Sequence, residues 1–309
     1  MHATVSAMSG LARDIGAFAQ ATAVSAVDSA VDSAAGSAGA GRYGAEIHPG
    51  WDIGGNANGG YLMAIAGRAM ATEIGRPPLT LTAHYLRPGQ AGPCEIDVHV
   101  VRSGRRLATA RATMSVDGKP ILELLGTFGD QQPADGPSYV RDEPVDIVAY
   151  DDCAPMWTGA EPAPQATDQA GGELSGELSG EASGPPLMDR LACRLHPADV
   201  GFRAGRPTGD PTIRGWFALA DEEPIDAIGL LLAADAFPPP IFNSDIPMAW
   251  VPTVELTVHI RATPTPGPLR VAFRNRFIHD GLLDEEGELW DSAGTLVAQC
   301  RQLALMPRL

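Results

Sequence analysis

Two stretches of the chain, LTAHYLRPGQAGP at 81–93 and LTVHIRATPTPGP at 256–268, align without a gap at a constant offset of 175 positions. Leu-Thr-x-His recurs in both, and Gly-Pro follows eleven positions after the leucine. A repeat of this period means that one supersecondary unit is built twice, which constrains the fold more than any local propensity does. After the first copy, CEIDVHVVRSGRRLATARATMSVDGKPILEL alternates apolar and polar residues, as half-buried antiparallel strands do, with turn signals at Ser103-Gly104 and Asp117-Gly118. After the second, LRVAFRNRF and GELWDSAGTLVAQCRQLAL give the same meander, with turns near Asp280-Gly281 and Ala293-Gly294.

An apolar segment with helical spacing precedes each meander. In the segment that NANGGYLMAIA opens, Leu62, Ile65, Ala66, Ala69 and Met70 share a face, Asn58 suits the N-cap, and Gly75 stands near the C-terminal cap before Pro77-Pro78. Gly59 and Gly60 are poor helix formers placed where the helix must start; without Cβ atoms they leave its unpaired N–H groups open to a ligand. The second segment, IDAIGLLLAADAFPPP at 225–240, is apolar all round and predicts a fully buried helix. The expected architecture is therefore α+β. Each repeat should carry a long central helix wrapped by a curved antiparallel sheet.

Two low-complexity tracts divide the chain of 309 residues. Residues 1–41, rich in Ala, Ser and Gly, read as a mobile N-terminal extension, and 151–186, with GELSGELSGEASGPP, as an acidic Gly/Ser-rich linker. The ordered units are expected at 42–150 and 187–309. A net charge of −16 argues against a nucleic-acid partner, because affinity for phosphate backbones comes from clustered Lys and Arg. No apolar run is long enough for a membrane span and the N-terminus lacks a signal-like apolar core, so a cytoplasmic location is expected. The four cysteines, at 94, 153, 193 and 300, show no CxxC pairing and read as buried thiols rather than disulfides or zinc ligands. No metal ligand set and no cofactor motif is found.

The layout, together with GGNANGGYLMAIAGRAM, TAHYLRPGQAGPCEIDVHVVRSGRRLATARATMSVDG and the run WVPTVELTVHIRATPTPG…ELWDSAGTLVAQCRQLALMPR, resembles the acyl-CoA thioesterase II (TesB-like) family of the double hotdog fold. The resemblance spans roughly 42–309 outside the 150–186 insertion. It implies a catalytic set of Asp235 in LLLAADAF, Thr253 in VPTVEL and Gln302 in AQCRQLAL, which together hold and activate a water that attacks the thioester carbonyl. It also implies that the Gly-Gly helix start supplies backbone N–H groups, those of Gly60 and Tyr61, to the carbonyl oxygen. Two departures concern the substrate end. The family's Leu-Asp-His run reads Glu255-Leu256 here, without the His, and the second meander turns at His279-Asp280.

The residues carry their own arguments. Asp235 ends an apolar helix, where the dipole disfavours an acid by a few tenths to about 1 kcal/mol; it is either a backbone-bonding Asp before Pro238-Pro239-Pro240 or a desolvated carboxylate able to take a proton from water. Thr253 is either a strand-start residue or a hydroxyl that positions a water. Gln302 lies on an alternating strand whose facing is open, and an amide there could orient water and meet developing negative charge. Asn58 and Gly59 at the helix start, and Arg105 and Arg106 in the first meander, are candidate substrate contacts, the arginines for a CoA phosphate; a solvated strand edge is the other reading of the arginines. The expected activity is hydrolysis of an acyl-CoA, or a related acyl thioester, to acid and CoA. A non-catalytic acyl-CoA-binding protein is the alternative, and an enoyl-CoA hydratase or dehydratase using His48 a weaker one. Association into a homo-oligomer is compatible with this layout.

Overall fold

The computed structural model describes residues 16–27, 40–131, 139–157, 185–247 and 250–306. Its ten principal strands are β1 (Ala40–Ile47), β2 (Pro78–Tyr85), β3 (Gly92–Ser103), β4 (Ala108–Val116), β5 (Lys119–Phe128), β6 (Thr212–Phe217), β7 (Thr253–Ile260), β8 (Leu269–Arg274), β9 (Leu282–Trp290) and β10 (Leu296–Leu305). The helices are α1 (Ala17–Ala21), α2 (Gly59–Ile74) and α3 (Gly229–Ala233). All ten strands join one antiparallel sheet in the order β1-β3-β4-β5-β2-β7-β10-β9-β8-β6. Read outward from the central β2–β7 pair, β2-β5-β4-β3-β1 on one side corresponds to β7-β10-β9-β8-β6 on the other.

The repeated stretches meet at that seam. Thr82 and Thr257, equivalent residues of Leu-Thr-x-His, lie directly opposite each other and their hydroxyls are 2.8 Å apart. Leu81 pairs with Val258 and Ala83 with Leu256, all four being buried or nearly so. Two copies of one strand can pair antiparallel about a local two-fold axis only if the residue on the axis faces its own counterpart, and Thr82–Thr257 satisfies this. The hairpins follow the turn chemistry of the sequence. Asp117-Gly118 and Asp280-Gly281 both adopt the left-handed conformation at both positions, with φ of 49° and 71° in the first and 49° and 80° in the second, as a two-residue turn between twisted strands requires.

The helix α2 starts and stops where its caps place it. The Asn58 side chain accepts the Tyr61 N–H at 2.9 Å, and Gly75, at φ 73°, returns its N–H to Ala71. Gly60 through Gly67 are all buried, because the sheet curves around the helix; Ala108, Ala110, Ala112 and Met114 turn inward from β4 towards the core.

The expectation of a second long central helix does not hold. α3 covers five residues. Asp226 caps it by accepting the N–H groups of Ile228 and Gly229, and Pro238-Pro239-Pro240 prevents its continuation, so the apolar run over 225–240 becomes a short buried turn and a descending loop. Two boundaries also shift. Within the stretch expected to be a mobile extension, 16–27 are packed on the body: Phe18 is buried against Trp51, Tyr61 donates its hydroxyl to Ala21 O, and Val24–Ala26 pairs with β1. One aromatic residue anchors a segment whose average composition argues for disorder. Residues 148–150 of the expected first unit and 151–157 of the expected linker belong with the second half, where Trp216 donates to Val148 O and Ala154–Pro155 pairs with Arg194–Leu195. GELSGELSGEASG lies outside the described residues.

α2 and α3 cross closely enough to require glycine. A Cβ on Gly60 would lie 2.7 Å from the Leu231 carbonyl oxygen and 2.9 Å from the Asp235 Cβ; on Gly67 it would meet side-chain tips, Leu231 Cδ1 at 2.9 Å and Leu81 Cδ2 at 3.3 Å. Backbone cannot move aside as a side-chain tip can. Gly60→Ala is therefore expected to lower the unfolding free energy by about 1–3 kcal/mol, and Gly67→Ala by clearly less, in urea denaturation monitored by circular dichroism; equal losses would contradict this account of the crossing.

Candidate active site

Beyond α3 the chain brings Asp235 to the start of α2. Its carboxylate accepts the Gly60 N–H at 2.8 Å and the Asn58 Nδ2–H at 3.2 Å, and the same amide donates to the Asp235 carbonyl at 2.7 Å. Along the sequence this acid follows its own helix, at the unfavourable negative end. In the folded chain it lies at the positive end of the other one. Burial pushes the Asp235 carboxyl up to about 6, against the opposing pull of the Gly60 and Gly59 N–H groups and the Asn58 amide. A carboxylate poised there is charged at neutral pH and basic enough to accept a proton from water.

This contact corrects the expected oxyanion hole. Gly60 N–H is committed to Asp235 and Tyr61 N–H to Asn58 Oδ1, so neither donor is open to a substrate oxygen. The glycine pair admits the acid itself: a Cβ on Gly59 would lie 2.8 Å from Asp235 Oδ2 and 2.9 Å from the Tyr85 ring. Tyr61 is used structurally. Its ring stacks on Trp51 at 5.1 Å and its hydroxyl accepts the His48 N–H.

Asp235, Thr253 and Gln302 all line one cavity of about 260 Å³, together with Asn58 and Gly59. Thr253 opens β7 at its wall. Gln302 faces inward, only 6% exposed, between the outward-facing Arg301 and Leu303 of β10, which resolves the facing that alternation left open. The rest of the wall is largely apolar, with Trp157, Phe202, Phe237, Phe242 and Trp250 offering a surface suited to an apolar ligand.

Arg105 and Arg106 do not reach this cavity. They occupy the β3–β4 hairpin beside the C-terminal end of α2, where Arg76 donates to Gly104 O, and a helix of sixteen residues separates that end from Asn58 by about 24 Å. Their clustering belongs to an exposed hairpin tip. The cation on the cavity wall is Arg203, which donates to the carbonyls of Pro155 and Met156. The exposed His279-Asp280 turn is also absent from the wall, and so is any histidine, His48 included. Among the described residues no group of side chains could hold a metal ion, and all four cysteines are buried and free.

One residue of the wall escaped the sequence reading. Glu285, 8% exposed, lies directly opposite Gln302 on β9. Burial, then the nearby Asp235 and Asp284, push its carboxyl well above the usual range. The signal was present in LLDEEGELW, where Glu285 shares a face with Leu283, Gly287 and Leu289.

Residues 47–129 match the acyl-CoA thioesterase N-terminal domain and residues 150–306 the acyl-CoA thioesterase C-terminal domain. A protein of Thermobifida fusca described as a candidate thioesterase II superposes with a TM-score of 0.77 at 29% identity, over 96% of this chain and 99% of that one. A hot dog fold protein of Alicyclobacillus acidocaldarius gives 0.72 at 21% identity with the same coverage, a likeness of fold. An uncharacterised protein of Mycobacterium tuberculosis is 25% identical over 281 residues, 85% of this chain and 90% of its own. With both domain matches in order along a hotdog sheet, the chain belongs to the acyl-CoA thioesterase family.

Proposed function

We propose that the chain hydrolyses an acyl-CoA thioester to the free acid and CoA, in a cavity shared by two hotdog units of a duplicated fold. The observation that carries this reading is the convergence of Asp235, Thr253 and Gln302, from three separate elements, on one largely apolar cavity, with Asp235 fixed by Gly60 and Asn58. Asp235 removes a proton from a water held by the Thr253 hydroxyl. The water oxygen bonds to the thioester carbon, the C–S bond breaks, and the proton leaves with the CoA sulfur. Gln302 directs its amide at the charge that develops on the carbonyl oxygen. Asn58 acts through Asp235 rather than on the substrate. The duplication yields one such site, because the acid of the second half occupies the helix start of the first.

An enoyl-CoA hydratase reading needs a histidine in the cavity, and the described wall contains none. A purely acyl-binding role would suit the apolar lining, but gives no account of an acid fixed on the wall by Gly60 and Asn58.

Thiol release from a panel of acyl-CoAs of different chain lengths tests the proposal. Asp235→Asn is expected to lower kcat by at least about 100-fold with folding intact; turnover at the wild-type rate would sink the assignment. Binding of acyl-CoA by the wild type without release of CoA would favour the binding role.

The pH dependence follows from the same group. Asp235 works as the carboxylate, so kcat/KM should rise with pH through an apparent pKa of about 6, and the residual activity of Asp235→Asn should lack this limb. The stability effect has the opposite sign. With the folded pKa above the unfolded one, the contribution of Asp235 to stability is full below pH about 4 and is lost as pH rises through about 6. Asp235→Asn should therefore have a higher Tm than the wild type at pH 8, measured by calorimetry, and a smaller advantage or none in acid.

A further inference from the structure

Gln302 presents a difficulty that the hydrolytic reading leaves unsolved. Its Oε1 is buried and, among the described residues, without a hydrogen-bond donor, and an amide with an unpartnered oxygen has nothing to decide whether O or NH₂ faces the substrate. The residue directly across the ladder is Glu285, on the same inward face and on the wall of the same cavity. Opposed residues of antiparallel strands hold their Cβ atoms about 4.5–5.5 Å apart, which brings a carboxyl and an amide of this length within hydrogen-bonding reach. An ionised carboxylate offers only acceptors to that oxygen, whereas a carboxylic acid offers the missing donor.

Resting on the thioesterase reading, we propose that Glu285 is a positioning residue of the hydrolytic site: as an uncharged carboxylic acid it donates its O–H to Gln302 Oε1 and so turns Gln302 Nε2 towards the thioester carbonyl.

The surroundings of Glu285 favour the uncharged form from every side. Asp235 faces it from the loop after α3, Asp284 adjoins it on β9, and Gln302 and Cys300 face it from β10. Tyr85, whose buried hydroxyl has no partner among the described residues, lies near Asp235. The neighbouring cations are engaged elsewhere: Arg301, exposed, approaches Asp284 at 3.9 Å, and Arg203 donates to Pro155 and Met156. Two carboxyls sharing one cavity divide a single negative charge according to their donors. Asp235 has the Gly60 N–H and the Asn58 amide, whereas among the described residues no side chain or N–H donates to the Glu285 carboxyl. The charge resides on Asp235 and the proton on Glu285, which gives the site a base and a neutral donor at one pH. The same donor replaces the orienting role that the committed N–H groups of Gly60 and Tyr61 cannot fill.

The test compares wild type, Glu285→Gln and Glu285→Leu in steady-state CoA release across pH, on an acyl-CoA that the wild type turns over. Glu285→Leu should lose at least about tenfold in kcat with KM changed by less than about threefold. Glu285→Gln, whose NH₂ can donate to Gln302 Oε1 at every pH, should recover most of that loss. The wild-type rate should fall in alkali as Glu285 ionises, and Glu285→Gln should show no such fall. A second measurement is independent of turnover: the infrared difference spectrum of wild type minus Glu285→Gln at neutral pH should contain the C=O band of a protonated carboxyl. The inference is overturned if Glu285→Gln is as impaired as Glu285→Leu, if the alkaline limb persists in it, if Glu285→Leu keeps wild-type kcat, or if the band is missing. Absence of CoA release by the wild type would remove the thioesterase reading and the catalytic role with it, and the infrared band would then decide separately whether the Glu285 proton is present.

Discussion

The contact between Asp235 and the first turn of α2 is the interaction on which the rest of the site depends. It joins the two halves of the chain across 175 residues, at a place where either side alone would be unstable. A buried acid at the end of α3 has no compensating charge of its own, and a helix start with two glycines has exposed N–H groups and poor propensity. Each supplies what the other lacks. The close approach also sets the crossing of α2 and α3, since the backbone of Leu231 can reach α2 only where Gly60 has no side chain.

The seam of the sheet imposes the second constraint. With β2 and β7 paired about Thr82 and Thr257, the two halves form a continuous antiparallel sheet, and α2 packs between the first-half strands and α3. Symmetry of the strands does not extend to the helices. α2 has sixteen residues and α3 five, and Phe237 and Phe242, in the chain that follows α3, line the cavity together with Trp250. The strand order is symmetric about the seam while the helices differ in length, and the polar groups around Asp235 adjoin an apolar pocket.

Much of this was legible in the amino-acid order. The hairpins at Asp117-Gly118 and Asp280-Gly281 and the caps at Asn58 and Gly75 follow from local chemistry, and local chemistry does not depend on what packs around it. Asp235, Thr253 and Gln302 could be named from the family resemblance, but nothing in their spacing said that they share a cavity. Glu285 was overlooked because LLDEEGELW reads first as a charged surface strand, although its alternation with Leu283 and Leu289 turns it inward. Arg105 and Arg106 misled for the converse reason: neighbours in sequence form a charged hairpin tip, and only the length of α2 shows how far that tip lies from the site.

By itself, then, the sequence determined the repeated strand order, the turns, the limits of α2 and the family to which the chain belongs, all of which depend on periodicity and on residues close together in the chain. Tertiary structure alone decided which groups remain available for chemistry. The N–H groups of Gly60 and Tyr61 look free in the sequence and are occupied in the fold by Asp235 and Asn58, because a hydrogen-bond donor is assigned by what reaches it in space. The charge state of Asp235 and Glu285 is decided there too, since it depends on burial and on partners contributed by distant segments.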